Sequence, residues 1–386
     1  MDESAPALDV SASTLELAKR LIASRSLTPD DAGCLDLIAS RLEAVGFACE
    51  RVDRGAVSNL WARHGHAEPI VCLAGHVDVV PTGPIERWTS DPFVPAERDG
   101  YLYGRGAADM KTSVAAMVTA AERVVAARPD HPGSIGILLT SDEEGDAVDG
   151  TVAVVDLLRE RGTRLHACIV GEPTSAERLG DTIKYGRRGS LQGVLTVTGM
   201  QGHVAYPDRA RNPIHAALPA LTELAKMEWD GGDASFSPTR LQMSNMHAGT
   251  GAANVIPGTL EVVFNFRFGT ASSVDGLQAR VQEILERHKV DGEVAWTLGA
   301  EPFICSKGRL IEVLSQAVAA ETGLTPALST SGGTSDARFL AGISTELAEF
   351  GPLNASSHAI DECVRVADIG PLSLVYEQTV AALLTR

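Results

Sequence analysis

The sequence lacks several features that would assign it to particular classes of protein. No apolar run approaches the roughly 20 residues of a membrane-spanning helix, so we expect no transmembrane segment. The first residues, 1–4, are acidic and lead into no apolar stretch, so no signal peptide is expected. The six cysteines include no Cys-x-x-Cys pair, and reduced thiols in a cytoplasmic protein fit this usage.

Positive charge is also scarce. Lys and Arg number 33 against 50 Asp and Glu, which gives a formal net charge of -17. This balance disfavours a nucleic-acid partner, because phosphate binding needs a basic face, although a local cationic pocket for an anionic substrate remains compatible. The 44% apolar and 22% charged residues are ordinary for a soluble globular protein, and a chain of 386 residues favours two domains.

In the first part of the chain, short apolar runs alternate with helical patterns. The clearest helix is predicted over 110–127, and others over Thr14–Ile22 and Asp36–Val45. Strands alternating with helices indicate an α/β fold with a mainly parallel sheet and flanking helices. Ligands in such folds bind beyond the carboxyl ends of the strands. The apolar runs that we read as strands are Ile70–Ala74, Tyr101–Tyr103, Ile135–Leu139 and Ala167–Val170.

The pattern changes between residues 186 and 300. Residues 260–268 alternate apolar and polar side chains, which predicts a strand with one buried face. Asn212 and Pro213 open a helix, and a second helix is predicted over Val274–His288. The order β-α-β-β-α-β is that of a ferredoxin-like α+β domain. We therefore predict a discontinuous domain, 1–185 and 301–386, with 186–300 inserted.

One stretch carries the first indication of chemistry. His76 and Asp78 follow the strand Ile70–Ala74, and residues i and i+2 of an extended chain project to the same face. A carboxylate beside an imidazole fixes its tautomer and leaves the other nitrogen free for a metal. A strand-end histidine with an aspartate cap is an equally good interpretation of this stretch alone.

The ends of the other strands supply more groups of the same kind. Two histidines and several carboxylates suit Zn²⁺, with Mn²⁺ or Co²⁺ possible. Asp109 taken alone is more typical of a helix N-cap, and an Asp-Glu-Glu run is usually solvated surface. After a buried strand, however, adjacent glutamates are costly unless a cation compensates them, and one that binds no metal could activate water. The candidate residues are His76, Asp78, Asp109, Glu143, Glu144, Glu172 and His358.

These segments resemble the ordered motifs of a known family, the M20 metallopeptidases. The motifs are Gly-His-x-Asp at 75–78, Gly-Arg-Gly-x-x-Asp-Met-Lys at 104–111, Ser-Asp-Glu-Glu-Gly at 141–145, Gly-Glu-Pro at 171–173 and the late His358. The resemblance runs from about residue 14 to the end. It implies a zinc-exopeptidase-like catalytic domain with an inserted lid and dimerisation domain, and a metal-dependent hydrolase with two zinc ions per subunit, replaceable by cobalt.

Longer segments are most similar to the branch of the family that hydrolyses N-succinyl-L,L-2,6-diaminopimelate, in lysine and diaminopimelate biosynthesis. We expect that activity in a cytoplasmic homodimer, with acetylornithine deacetylation as the alternative. A catalytically silent metal-binding regulator is the hypothesis from another class, and the presence of Glu143 disfavours it. The segments are Gly186–Ser190, Gly202–Pro207, Asn254–Gly258, Phe264–Arg267, Ser331–Asp336 and Gly351–Asn354.

The resemblance also implies roles for individual residues. Asp109 would bridge two metal ions, with His76 and Glu172 completing one site and Glu144 and His358 the other. Asp78 would orient His76, and Glu143 would be the general base and acid. His203, from the lid of the partner subunit, would stabilise the oxyanion. A cis peptide bond is expected between Asp109 and Met110.

Substrate carboxylates are expected to bind arginines and a turn at 332–334 that opens a helix. Surface ion pairing is the alternative interpretation of the arginines. Two positions depart from the family pattern, Thr112 and Ala253, and the second lies beside a substrate-binding residue. The full expected set of substrate-binding residues is Arg187, Arg188, Ser190, Tyr206, Asn254, Arg267, Gly333, Thr334 and Asn354.

Overall fold

The computed structural model describes residues 10–385 and divides them into two compact units. The first, which we call the sheet unit, comprises 10–185, Cys305–Ser329 and 335–385; the second, the insert unit, comprises Gly186–Ile304 and Thr330–Thr334. Residues 1–4, on which the expectation about a signal peptide rests, lie outside the described part. No helix within 10–385 combines the length and the apolar character needed to cross a bilayer.

The helices of the described chain are distributed over both units, with α5 and α6 in the insert unit and the rest in the sheet unit. They are α1 (Val10–Ala23), α2 (Cys34–Ala44), α3 (Thr112–Ala127), α4 (Thr151–Glu160), α5 (Pro213–Lys226), α6 (Val274–Arg287), α7 (Arg309–Thr322), α8 (Ala337–Leu340) and α9 (Val366–Leu384).

The strands are likewise divided, with β9–β16 in the insert unit. They are β1 (Ala48–Arg51), β2 (Asn59–His64), β3 (Ile70–His76), β4 (Ala96–Arg98), β5 (Tyr101–Tyr103), β6 (Ser134–Thr140), β7 (Leu165–Val170), β8 (Thr182–Lys184), β9 (Gly186–Arg187), β10 (Gly189–Thr198), β11 (Gly202–His203), β12 (Arg240–Ala248), β13 (Val255–Ile256), β14 (Thr259–Phe268), β15 (Gly292–Ala300), β16 (Phe303–Ile304), β17 (Ala327–Ser329), β18 (Ser344–Glu349) and β19 (Cys363–Arg365).

The sheet unit confirms the predicted α/β class. Its central sheet has the order β1-β2-β6-β3-β7-β18-β8-β17. The pairs β6–β3, β3–β7, β7–β18 and β8–β17 are parallel. The pairs β1–β2, β2–β6 and β18–β8 are antiparallel. Strands β3 and β6 are buried along their whole length. Continuous burial is typical of parallel strands that are covered by helices on both faces.

The helical layer follows the apolar periodicity of the sequence. Helices α1, α3, α7 and α9 pack against one another. Twelve of the 16 residues of α3 are buried, and α3 begins directly after a short π-helical turn, Ala107–Lys111. The predicted helix over 110–127 is therefore confirmed from Thr112 onward. The two residues before it belong to the turn, where Asp109 and Met110 depart from helical φ and ψ.

The insert unit has the predicted β-α-β-β-α-β order. Its main sheet is antiparallel, β12-β14-β10-β15, and α5 and α6 belong to the same unit. Strand β14 alternates buried and more exposed residues, as its sequence predicts. The side chain of Asn212 accepts a hydrogen bond from the Ile214 amide at 3.0 Å and caps α5.

One local prediction about the chain after residue 330 needs correction. The turn at 332–334 was expected to open a helix that could bind an anion at its N-terminus. The helix that follows, α8, has only four residues, and no side chain caps its first turn. So short a helix sums few aligned peptide dipoles, so its N-terminus offers little attraction for an anion.

Candidate metal centre

Three neighbouring parallel strands of the sheet unit end in candidate ligands. His76 is the last residue of β3, Glu143 and Glu144 follow β6, and Glu172 follows β7. Because β6, β3 and β7 are adjacent and parallel, their carboxyl ends meet at one edge of the sheet. Residues that are far apart in sequence are thus brought to one place by strand order alone.

Two further groups reach this edge from irregular segments. Asp109 lies in the π-helical turn before α3, and the expected cis peptide bond between Asp109 and Met110 is present. His358 lies in the loop before β19 with a left-handed backbone, φ 62°. The alternative interpretation of Asp109 as a helix N-cap is wrong, because the residue before α3 is Lys111 and its side chain caps nothing.

Asp109 lies between the two histidines. Its Oδ1 is 3.2 Å from His76 Nε2, and its Oδ2 is 3.5 Å from His358 Nε2. His358 Nε2 is also 2.8 Å from Glu144 Oε1, and His76 Nε2 is 3.9 Å from Glu172 Oε1. One carboxylate therefore presents a separate oxygen to each histidine, an arrangement that suits a bridge through both oxygens.

Asp78 is fully buried, and it contacts the backbone after β6 as well as His76. His76 Nδ1 is 3.0 Å from the Asp78 carbonyl oxygen and 3.6 Å from its carboxylate, so the backbone carbonyl is the closer acceptor. A proton on Nδ1 leaves Nε2 free to face the cluster. The carboxylate accepts hydrogen bonds from the amides of Glu144 (3.1 Å) and Glu143 (3.4 Å). Asp78 thus links the ends of β3 and β6.

The donor groups fit divalent cations. The potential ligand atoms of His76, Asp109 and Glu144 all lie within 4.8 Å of one another, and so do those of His76, Glu143 and Glu172. Tetrahedral zinc with nitrogen and oxygen ligands separates its donors by about 3.3 Å, so only small shifts would bring such atoms onto a shared ion. The second group includes Glu143, the residue to which the resemblance gives proton transfer.

The electrostatics of the cluster also favour bound positive charge. Burial alone lowers the pKa of His76, but hydrogen bonds with Asp109 and Asp78 outweigh burial and raise that pKa well above its usual value. Hydrogen bonds with Asp109 and Glu144 raise the pKa of His358 to about 10. Burial and the charge of Glu172 raise the pKa of Glu143. Glu143 therefore tends to keep its proton and the two histidines their positive charge, and a bound metal ion would supply that positive charge instead.

Two glycines make room for Met110 at the same edge. A Cβ built on Gly75 would collide with the Cε of Met110, and one on Gly171 would lie 2.6 Å from that atom and 3.0 Å from the Cε of Met117. Gly75 precedes His76 and Gly171 precedes Glu172, while Met110 follows Asp109. The thioether, which is fully buried, therefore packs against the two other segments, and its own segment carries Asp109.

Sequence reasoning missed two buried residues, Arg105 and Glu362, that lie next to the backbone of Asp109. Arg105 stands in the Gly-Arg-Gly motif but received no role, and Glu362 was not singled out at all. Their side chains are 2.7 Å apart, with Arg105 2% exposed and Glu362 0%. The position of Arg105 in the motif, four residues before Asp109, could have indicated a role for it. No sequence pattern marks Glu362.

The insert unit contains most of the predicted substrate-binding residues. Ser190 and Arg267 are directly opposite each other in the β10–β14 register, and Ser190 Oγ accepts a hydrogen bond from Asn265. Burial, and then the charge of Arg188, lowers the pKa of Arg267. Arg267 Nη1 and Arg188 Nε are buried atoms with no hydrogen-bond partner in the described chain.

The turn at 330–334 belongs to this unit and approaches the same arginines. Arg187 donates to the carbonyl of Gly333 at 3.2 Å, and Arg188 to that of Gly332 at 3.4 Å. Thr334, which completes the turn, is only part-buried. Carbonyl oxygens, rather than the amides of a helix N-terminus, therefore face Arg187 and Arg188 here.

A second group of predicted residues is exposed on the insert unit. His203 pairs with Val255 in the β11–β13 ribbon, and its ring lies 5.8 Å from that of Tyr206. The carbonyl of Asn254 accepts a hydrogen bond from the amide of Val204, at 3.1 Å. Asn354 belongs instead to the sheet unit, where its amide bonds to the carbonyl of Ser175 and its side chain is exposed.

The two positions that depart from the family pattern differ in burial. Thr112 is the first residue of α3 and is buried, and its Oγ1 has no hydrogen-bond partner in residues 10–385. Ala253 is exposed, as is the neighbouring Asn254. Neither residue belongs to the group of candidate ligands.

Comparison with known proteins bears on family and fold. Residues 72–382 match the model of peptidase family M20/M25/M40. The succinyl-diaminopimelate desuccinylase of Dechloromonas aromatica is 57% identical over 376 residues, 97% of this chain and 100% of that protein. The enzyme of the same name from Azoarcus sp. is 60% identical over 372 residues, covering 96% and 98%.

Solved structures of lower identity share the fold. An M20 family metallo-carboxypeptidase from Sulfolobus solfataricus aligns with a TM-score of 0.81 over 100% of both chains at 16% identity. A peptidase of the M20 family from Bacillus subtilis, described as binding a dinuclear metal, aligns with a TM-score of 0.71 at 16% identity, over 97% of this chain and 98% of that one.

Proposed function

The chain belongs to peptidase family M20/M25/M40, and from this premise we propose that it hydrolyses N-succinyl-L,L-2,6-diaminopimelate to succinate and L,L-diaminopimelate. The observation that carries the proposal is the 57–60% identity, over nearly the whole of both chains, to enzymes named succinyl-diaminopimelate desuccinylase. The protein is then a metal-dependent hydrolase of an amide bond in lysine and diaminopimelate biosynthesis.

Two divalent cations per subunit are part of this proposal, zinc by preference and cobalt as a substitute. His76, Asp109 and Glu172 would hold one, and Asp109, Glu144 and His358 the other. The short separations among these groups and the raised pKa values of both histidines support the assignment. When bound, such cations act as Lewis acids on the scissile amide and on the attacking water.

The chain's own residues would then carry the protons. Glu143 accepts a proton from the water that attacks the succinyl carbonyl carbon, and delivers it to the amine nitrogen as the carbon–nitrogen bond breaks. Asp78 keeps Glu143 in place through the amides of Glu143 and Glu144. His203 donates a hydrogen bond to the carbonyl oxygen as negative charge develops on it.

Substrate selection is proposed to rest on the arginines of the insert unit. Arg187, Arg188 and Arg267 would bind the substrate carboxylates, because a guanidinium pairs bidentately with a carboxylate. Arg188 Nε and Arg267 Nη1 support this role, because both are buried and neither finds a hydrogen-bond partner in the described part of the chain. The other proposed substrate contacts are Ser190, Tyr206, Asn254, Gly333, Thr334 and Asn354.

Assembly and location complete the proposal. Residues 186–300 would form a lid and dimerisation domain, inserted into a catalytic domain of 1–185 and 301–386. In the resulting homodimer, His203 would serve the site of the partner subunit. The reduced thiols and the biosynthetic role of the named relatives support a cytoplasmic protein.

An amine-release assay distinguishes this function from acetylornithine deacetylation. We expect the zinc-loaded enzyme to hydrolyse succinyl-diaminopimelate and to use acetylornithine poorly. Chelation should abolish the activity, and added zinc should restore it. Equal use of the two substrates, or full activity after complete removal of metal, would contradict the proposal.

A further inference from the structure

We propose that Glu362 is a positioning residue for the metal centre. It would fix the backbone of Asp109 directly and, through Arg105, tie that backbone to the loop that carries His358. This inference rests on the proposed metal-dependent function and concerns residues to which neither the motifs nor the relatives assign a role.

The side chain of Glu362 organises the turn that carries Asp109. Its Oε1 accepts hydrogen bonds from the amides of Ala108 (2.9 Å) and Asp109 (3.0 Å). Its Oε2 accepts from the amide of Gly106 (3.0 Å) and from Arg105 Nη1 (2.7 Å). One buried carboxylate thus receives four N–H groups from a segment of five residues.

The backbone of Glu362 adds a fifth hydrogen bond, since its carbonyl accepts from the amide of Gly104 at 3.0 Å. The remaining amides of 104–109 bond elsewhere, Arg105 to the carbonyl of Pro92 and Ala107 to that of Gly104. Glu362 therefore satisfies four of the six amides in this segment. Buried amides that lose a partner are costly, so removing these acceptors should let the turn rearrange.

The turn needs such support because it is not a regular helix. Gly106 has a left-handed backbone, φ 82°, and Asp109 (φ −124°, ψ 95°) is non-helical. Regular i to i−4 hydrogen bonds consequently do not fix the backbone of Asp109. An acceptor from a distant segment, 253 residues away in sequence, holds its amide instead.

Arg105 extends the same network to the loop of His358. Its Nη2 donates to the carbonyl of His358 at 3.4 Å, and its Nη1 donates to that of Ala359 at 3.3 Å. Nη2 also donates to the carbonyl of Pro81, at 3.3 Å. The Arg105–Glu362 pair thereby links the backbone of Asp109 to the backbone of His358.

The chemical consequence concerns the bridging geometry. Asp109 presents one oxygen toward each histidine, and a metal pair can use both only if the carboxylate keeps its orientation. Residues that orient a ligand typically change metal affinity or activity by about 10–100-fold when they are replaced. Glu362 orients the backbone on both sides of one proposed metal pair.

The test compares Glu362→Gln with the wild type and with Glu122→Gln. The first keeps the shape of the side chain but replaces one acceptor oxygen by a donor. Glu122, in the same unit, accepts two hydrogen bonds from Arg41, at 2.8 and 2.7 Å, and is not among the candidate ligands. It therefore controls for the loss of a part-buried ion pair.

Metal-free protein is titrated with zinc against a competing chelator, and the cobalt-substituted protein is examined by absorption spectroscopy. We expect Glu362→Gln to bind zinc about tenfold more weakly or worse at one site at least, and to shift the cobalt d–d bands. Its kcat should fall with little change in KM. Glu122→Gln should match the wild type, and Glu362→Asp, which keeps the charge, should recover part of the loss.

Circular dichroism and melting of the metal-free proteins show whether each variant folds. If Glu362→Gln does not, Glu362→Asp and Arg105→Lys carry the same comparison. A folded variant with unchanged zinc affinity and cobalt spectrum would overturn the inference, and so would an equal loss in Glu122→Gln. A wild-type protein that binds no metal would overturn the proposed metal centre itself, and the inference with it.

Discussion

The candidate residues of the two units differ in how their charged groups are paired. In the sheet unit, carboxylates and imidazoles lie at strand ends within hydrogen-bond distance of one another. In the insert unit, Arg188 Nε and Arg267 Nη1 are buried and have no hydrogen-bond partner among residues 10–385. A cluster whose members already contact one another is suited to hold a small cation between them. Groups with unused donors are suited to an anionic ligand that arrives from solution.

The largest loss of activity should come from a variant of the sheet unit that removes the proton acceptor but keeps the metal ligands. Glu143→Gln should keep the fold and both metals but lose turnover by about 10²–10⁴-fold, because the amide cannot accept the proton. Zinc content by elemental analysis and kcat with succinyl-diaminopimelate check this. Near-normal turnover would remove Glu143 from the mechanism.

Replacing a proposed metal ligand of the same cluster should affect the zinc content, unlike replacing Glu143. Glu172→Ala should lose zinc as well as activity, since it removes a carboxylate 3.9 Å from His76 Nε2. The matched control is Glu177→Ala, an exposed glutamate five residues further along the chain. The number of zinc ions per subunit, measured after gel filtration, shows whether Glu172→Ala has lost metal. If Glu172→Ala kept the wild-type stoichiometry, its assignment as a ligand would be wrong.

In the insert unit, the effect should fall on the substrate rather than on the metal. Arg267→Ala should lower kcat/KM for the succinyl substrate by at least about tenfold, because charge-assisted hydrogen bonds contribute roughly 1.5–3 kcal/mol. Zinc content should not change. Arg211→Ala is the control, because this exposed arginine of the same unit pairs with Asp291 at 2.7 Å. Equal losses in the two variants would mean that Arg267 acts only through general charge.

The smallest expected effect tests the proposed dimer. Glu143→Gln and His203→Ala should each be nearly inactive, but a mixed dimer contains one site with both residues intact. Random mixing gives half heterodimers with one good site of two, so about a quarter of wild-type activity should return. The variants are unfolded, mixed, refolded and assayed. No recovery in the presence of proven heterodimers would place His203 in its own chain's site or in none.

Local sequence patterns predicted most of the fold. The alternation in 259–268 specifies β14, and Asn212 before Pro213 specifies the start of α5. In both cases the information lies within a few residues. The helix expected after the turn at 332–334 was overestimated, because four residues of helical sequence end at the turn around Gly342.

The residues of the candidate site also differ in whether a local pattern places them. The positions of His76, Glu144 and Glu172 at strand ends could be inferred, because each follows its own buried strand. The environment of Asp109 could not, since its amide is held by Glu362, and no local pattern links residues 253 positions apart. The left-handed backbone of His358 was equally unpredictable, because histidine, although enriched in this conformation, adopts it at only a minority of positions.

The packing of Met110 against Gly75 and Gly171 has a consequence for mutational tolerance. Every missense change at either glycine codon adds at least a Cβ, and in both places that atom would collide with the same methyl group. Met110 is fully buried, so its methyl group could move away only if the surrounding core repacked. A saturation library selected only for zinc retention should therefore return glycine at positions 75 and 171, although neither residue has a side chain with which to bind metal.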